Sequence, residues 1–319
     1  LEDVKAGNAT LDELTAQLTV EEMAELCVGT ERRSGEGNVI GSASSCVPGA
    51  AGDTTSGLLD TRKVPNLIQA DGPAGLRLET PCTAIPIATT LAQSWDMDLI
   101  RRMGEIVREE MEQLHVDLWL APGMNIHRNP LCGRNFEYYS EDPFISGKMA
   151  AAITKGVQSH PGCGVTVKHF CCNNQETNRF HSNSVVDERT LRDLYLRGFE
   201  IAIKEANPAA VMTSYNLLNG EHTSQRRDLN VMVLRNEWGY RGLVMSDWLV
   251  SGFAMEHKYP SACAAGCIKA GNDLIMPGGE AEIQNIMEAL HHPDSKYSIS
   301  RRDLEECAAS VIRTVKAFV

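Results

Sequence analysis

Nowhere does this 319-residue chain carry the eighteen or so consecutive apolar residues that a membrane-spanning helix needs, so no membrane span is expected. Lysine and arginine form no cluster, and 30 of them stand against 42 acidic residues, for a formal net charge of -12. No nucleic-acid partner is expected from that balance. Neither G-x-G-x-x-G nor G-x-x-x-x-G-K-[ST] occurs, which leaves nucleotide binding without support. The ten cysteines include no paired C-x-x-C sets of the zinc-ligand kind. In a chain this long most of them read as small buried hydrophobes, which favours a reducing compartment. No signal peptide is visible, so the expected location is cytoplasmic. The chain starts at Leu1 without an initiator Met, as after trimming or excision of a domain from something longer. Repeats, low-complexity tracts and Pro/Ser linkers are absent too. Nothing in these features fixes oligomeric state, and a homo-oligomer stays open.

What is present is a rhythm of short apolar runs and amphipathic segments. Leu11 to Leu26 has helical periodicity, and Glu31 to Gly57 is a Gly/Ser-rich stretch that reads as a long loop, expected to be mobile. Residues 1–57 are therefore expected to lead into the main domain, spanning 58–319. Candidate strands are "NLIQA" (66–70), "IPIATTL" (85–91), "DLWLA" (117–121), "GVTVKHF" (164–170), "AAVMTSY" (209–215), "GLVMS" (242–246) and "DLIMP" (273–277). Helical patterns lie between and after them, at 97–114, 143–159, 188–206, 229–238, 280–291 and 301–318. Such alternation predicts an α/β fold with a parallel sheet. It suits a (β/α)8 TIM-like barrel with one degenerate strand, or a doubly wound sheet.

In a barrel, functional groups sit at the C-terminal ends of strands and in the loops after them. "GLVMSDW" ends an apolar run on Asp247, which alone could be an ordinary helix cap. Other strand ends carry charge as well. "ADGPAGLR" gives Asp71 and Arg77, and "APGMNIHRNPLCGRNFEYYSEDP" gives His127, Arg128, Arg134, Glu137 and Asp142. "GVTVKHF" ends on Lys168 and His169, followed by Glu176, Arg179 and His181, and "SYN" adds Tyr215 and Asn216. Lys and His closing a buried strand are costly unless paired or used. Several cations with Asp71 and a tyrosine suit a ligand dense in hydroxyls. Trp248 offers an apolar face to a sugar ring. A lone carboxylate amid these cations is expected to stay ionised, as a nucleophile must.

"DGPAGLR", the long stretch from Ala121 to Pro143, "KHF" with "NNQETNR", "MTSYN" and "VMSDW" together resemble glycoside hydrolase family 3, its β-glucosidase branch. The likeness runs over about residues 64–277, in order. It implies a (β/α)8-type barrel and a retaining exo-acting β-glycosidase that needs no cofactor, acting on terminal β-D-glucosyl residues. By the same resemblance Asp247 is the nucleophile. Asp71, Arg77, Arg134, Lys168, His169, Arg179, Tyr215 and Trp248 fall on positions that hold the sugar. "VPGAAGDTT" (47–55) is similar to the variant in which an α/β sandwich domain precedes the barrel, and that domain is absent from this chain.

Two departures stand out. Leu249 occupies a place where the family usually has Gly, and His181 another. His181 lies thirteen residues after Lys168, the spacing of the catalytic His in the family's N-acetylglucosaminidase branch. That branch has Asp two residues earlier, where Arg179 stands here, and P-G-H-G in place of Cys171-Cys172-Asn173-Asn174. Retaining hydrolysis needs a second carboxyl group about 5–5.5 Å from the nucleophile. In two-domain members it comes from the sandwich domain. Within this chain the candidates are His181 and the rim carboxylates Glu137, Glu141 and Glu176, the latter three read first as ion-pair partners. The alternatives are an acid-deficient sugar-binding barrel, a β-N-acetylglucosaminidase or β-xylosidase of the same family, and a metal enzyme built on His127, His169 and His181. The last is disfavoured because Lys168 and the arginines repel a divalent cation.

Overall fold

A computed structural model describes residues 1–30, 42–55, 57–252 and 258–319. Its strands are β1 (Gly52–Asp53), β2 (Ile68–Ala70), β3 (Leu118–Trp119), β4 (Gly164–Phe170), β5 (Asn183–Ser184), β6 (Ala210–Thr213), β7 (Leu217–Leu218), β8 (Glu221–His222), β9 (Leu243–Trp248) and β10 (Leu274–Met276). The main sheet runs β1-β2-β3-β4-β6-β9-β10. All its pairs are parallel except β1 with β2. Val28 bridges Ile275 in parallel, and the Thr30 amide donates to the Asp53 carbonyl at 3.0 Å. The segment around Val28 thus lies between β10 and β1, and the sheet curls into a nearly closed barrel. The sheet therefore takes in Val28 and Gly52–Asp53, which lie ahead of residue 58.

Each long strand is buried on both faces, as parallel strands covered by helices must be. Alternation decides what points where. Val165, Val167, Val211 and Val244 pack outward with the helices Met97–Leu114 and Pro143–Val157, in one apolar cluster. Ala210, Met212, Leu243 and Met245 face the other way, into a second cluster. The period of two carries Asp247 to the inner side with Leu243 and Met245, and Lys168 with Thr166.

The helices at 97–114, 280–291 and 301–318 fall where their periodicity places them. Three expectations change. "IPIATTL" is not a strand: Ala88–Gln93 is a helix burying Ala88, Leu91 and Ala92 at helical spacing. Pro86 has no N–H to give to a central ladder. The single helix expected from Leu11 to Leu26 is two, Leu11–Ala16 and Val20–Leu26. Thr10 with Glu13, and Thr19 with Glu22, each form a reciprocal capping box that starts a new helix. Part of the Glu31–Gly57 loop, residues 31–41 and 56, lies outside the described residues. Its later part is held rather than loose. Asp53 is fully buried and accepts from Ser44 Oγ at 2.6 Å and from the Ser45 amide at 2.8 Å.

Candidate active site

At the C-terminal rim of the barrel lies a cavity of about 380 Å³. It is lined by Asp71, Arg77, Arg134, Lys168, His169, Arg179, Tyr215, Asp247 and Trp248, the residues that the sequence singles out. Five strand ends (β2, β3, β4, β6 and β9) and the loops after them supply these side chains. Ala51, Pro73, Leu120, Phe136, Glu137 and Met212 complete the wall. Met212 was legible from the alternation of β6. Ala51 was not: it reaches the rim because β1 runs antiparallel to β2, so the start of β1 meets the end of β2.

Neighbouring residues on one strand ordinarily face opposite ways, yet Lys168 and His169 both line the cavity, as do Asp247 and Trp248. Bulges account for this. On β4, Lys168 and Phe170 pair with the consecutive Met212 and Thr213, leaving His169 as the extra residue. On β9, Met245 and Trp248 pair with Leu274 and Met276, so β9 again holds one residue too many. A bulge at a barrel rim re-aims a side chain in this way.

The Asp71 carboxylate is held from two sides, by Lys168 Nζ at 2.8 Å and Arg77 Nη2 at 2.7 Å. Burial alone raises its pKa, but Lys168 and Arg77 outweigh burial and hold it at about 2. It is a fixed anion able to accept hydrogen bonds from hydroxyl groups. Arg134 pairs with Glu137, and Arg179 pairs with Glu176 at 3.0 Å, so both glutamates fill ion-pair places. Arg179 also stacks 5.0 Å from the ring centroids of Phe180 and Tyr215. Glu141 lies in an adjoining groove beside Ile87 and Phe136. The Tyr215 hydroxyl donates to the Trp248 carbonyl at 2.8 Å, and Trp248 Nε1 donates to the Ala51 carbonyl at 3.1 Å. These bonds tie the strand end carrying Asp247 to both flanks.

Asp247 is 7% exposed. Its Oδ1 accepts from the Trp248 amide at 2.7 Å. Its Oδ2 is buried with no hydrogen-bond donor among the described residues, and His169 Nε2 is 3.8 Å away. Burial raises the Asp247 pKa and outweighs the opposing pull of Arg134, Lys168 and Arg179. Desolvation is thus the larger effect at Asp247, and the cations act against it. Burial and the same three cations push His169 well below its ordinary pKa, so its ring is neutral at pH 7.

His181 is buried on the loop after β4 and is not among the residues lining the cavity. His127 turns back on its own loop, its Nε2 2.9 Å from the Asn135 carbonyl and 3.0 Å from that of Tyr138. Among the described residues no three His, Cys, Asp or Glu side chains group as metal ligands. Leu249, directly after Trp248, sits at φ 59°, in the left-handed region that favours Gly.

Residues 15–314 match the pattern of the glycosyl hydrolase family 3 N terminal domain. Beta-glucosidase A of Butyrivibrio fibrisolvens is 40% identical over 308 residues, which is 95% of this chain and 33% of that protein. The structure of beta-glucosidase 3B from Thermotoga neapolitana, in complex with alpha-D-glucose, superposes with a TM-score of 0.83 at 44% identity. That match covers 96% of this chain and 42% of the other. An exo-alpha-(1->6)-L-arabinopyranosidase of Bifidobacterium longum is 43% identical over 203 residues, 60% of this chain and 27% of that enzyme. The chain thus matches between about a quarter and a third of the length of these curated relatives. Fold, rim cavity and sequence likeness converge: this chain belongs to glycosyl hydrolase family 3.

Proposed function

We propose that this chain is the nucleophile-bearing barrel of a retaining exo-β-glucosidase. The observation that carries the reading is Asp247: a buried carboxylate on the cavity wall whose Oδ2 has no hydrogen-bond donor among the described residues. Such an oxygen is available to attack an anomeric carbon. Asp71, set between Lys168 and Arg77, accepts hydrogen bonds from hydroxyls of the terminal sugar. Arg134, His169 and Arg179 supply donors around the ring, the Tyr215 hydroxyl oxygen can accept, and Trp248 supplies an apolar face. In the first step Asp247 displaces the leaving group and forms a glycosyl ester. In the second, water displaces Asp247, and two inversions give net retention.

The proton for the leaving group comes, in this proposal, from a second domain, an α/β sandwich. The short span of this chain beside its relatives supports that division. So do the ion pairs that occupy Glu137 and Glu176. His181, set away from the cavity lining, is the weaker candidate for the acid.

Hydrolysis of 4-nitrophenyl β-D-glucopyranoside by the full-length protein, with the anomer followed by NMR, tests the reading. First-formed β-glucose is the expected product, and first-formed α-glucose would overturn retention. The likeness to the Bifidobacterium longum enzyme favours a second reading, an α-L-arabinopyranoside substrate. The ratio of kcat/KM on the two 4-nitrophenyl glycosides decides between them.

A further inference from the structure

Behind the cavity wall a line of polar groups runs inward from the half-buried Glu176 and ends on the buried His169. Glu176 Oε2 pairs with Arg179 at 3.0 Å, which marks Glu176 as an ionised acceptor. Its Oε1 lies 3.3 Å from Asn173 Nδ2, so that nitrogen is the donor and the Asn173 amide can face only one way. The same Nδ2 is 3.0 Å from the Tyr138 hydroxyl. The Tyr138 oxygen therefore accepts from Asn173, which leaves its own proton for the remaining neighbour, His169 Nδ1 at 3.1 Å. A neutral imidazole that accepts at Nδ1 carries its proton on Nε2. That nitrogen faces Asp247 Oδ2 at 3.8 Å. Asn125 clamps the backbone of the same residue, its Oδ1 accepting the His169 amide at 2.8 Å and its Nδ2 donating to the His169 carbonyl at 2.9 Å. Tyr138, His169 and Asn173 are each 2% exposed or less, so water does not compete for these bonds.

We propose that Tyr138 and Asn173 are positioning residues that hold His169 as the Nε2–H tautomer, so that its ring presents a donor to Asp247 and the sugar beside it. The opposite tautomer would set a nitrogen lone pair against the carboxylate. With Nε2–H in place, the ring steadies the charge on Asp247 as the glycosyl ester breaks, and can donate to a sugar hydroxyl. The relay also joins His169 to Arg179, so two cavity-lining groups share one fixed polarity. The functional half of this inference rests on the glycosidase reading, but the tautomer does not.

The test uses the full-length protein labelled with 15N-histidine, the His169 signals being assigned through a His169→Gln variant. Unmodified protein is expected to show a proton on Nε2 and a bare Nδ1. Tyr138→Phe removes the donor to Nδ1 and should give a mixture of tautomers. Asn173→Asp is nearly isosteric and should swap them. The new carboxyl group, when ionised, accepts from Tyr138; when protonated, it spends its proton on Glu176 and still accepts from Tyr138. Either way Tyr138 must then take a proton from His169 Nδ1. The swap should lower kcat on an aryl β-glucoside on the order of tenfold, the usual worth of one hydrogen bond to a charged group, with KM moved less. A proton on Nδ1 in the unmodified protein, or one unchanged tautomer in all three proteins, would overturn the proposal. If the tautomer swaps as stated but none of the proteins turns over glycosides, the relay stands and the glycosidase reading falls.

Discussion

Asp247 and Asp71 share one cavity and titrate in opposite directions, and each direction has a consequence. A carboxyl whose pKa is raised by folding holds its proton more tightly in the folded state. Its effect on stability is felt as pH rises from the unfolded pKa through the raised one, where the fold must carry a desolvated charge. Asp247 is of this kind, since burial raises it. Asp247→Asn should therefore raise Tm at pH 7 while lowering kcat by several orders of magnitude. A fall in Tm in thermal melts of the two proteins would refute the burial account. For the same reason the acid limb of kcat/KM should lie above the ordinary carboxylate range. Asp71, at about 2, is the reverse: it stabilises above its unfolded pKa near 3.8 and loses that contribution as pH falls toward 2. Asp71→Ala should cost about 2–5 kcal/mol in transition-state binding, as removal of one partner of a buried charge pair does. It also leaves Lys168, 3% exposed, without its carboxylate. An unchanged kcat/KM would contradict that role. These residues were legible in the sequence because charge at the end of a buried run is expensive and therefore conspicuous. Tyr138 and Asn173 were not, since a buried tyrosine or asparagine looks the same in a sequence whether or not it faces a histidine.

At the scale of elements, legibility followed periodicity and failed where tertiary contacts decide. The strand 164–170 and the helices 97–114 and 301–318 stand where expected, and the strand expected at 273–277 forms over Leu274–Met276. The bulges at His169 and beside Asp247 left no trace in the sequence, because an extra residue is defined only against its partner strand. The two N-terminal helices had a signal in the repeated T-x-x-E, which periodicity alone passed over. The helices Met97–Leu114 and Pro143–Val157 show a further constraint. They approach so closely at Gly156 that an added Cβ would stand 2.0 Å from the Arg101 carbonyl oxygen. Gly156→Ala should push the two helices apart and destabilise the protein by about 1–3 kcal/mol, as overpacking does. Chemical denaturation would show this as a lower midpoint with an unchanged slope. A neutral effect would mean that the helices slide apart freely.

At the scale of the whole molecule, the barrel is proposed to hold the nucleophile and a sugar-binding wall and to borrow its proton donor. Alone, this chain should expel an unactivated leaving group about 10²–10⁴-fold more slowly than the full-length protein, the usual worth of general acid catalysis. A dinitrophenyl β-glucoside leaves without protonation, so the first step should survive and the glycosyl ester should accumulate for want of a base. Azide should then speed turnover and yield β-glucosyl azide. Efficient cleavage of cellobiose by the 319-residue chain would instead direct attention to His181 and the rim glutamates. Beneath all of this lies the proposed covalent bond to Asp247, and peptide mapping after incubation with a 2-deoxy-2-fluoro-β-glucoside tests it most directly. A fluoroglucosyl adduct on the peptide that contains Met245-Ser246-Asp247-Trp248 is the predicted result, and an adduct on any other carboxylate would contradict it.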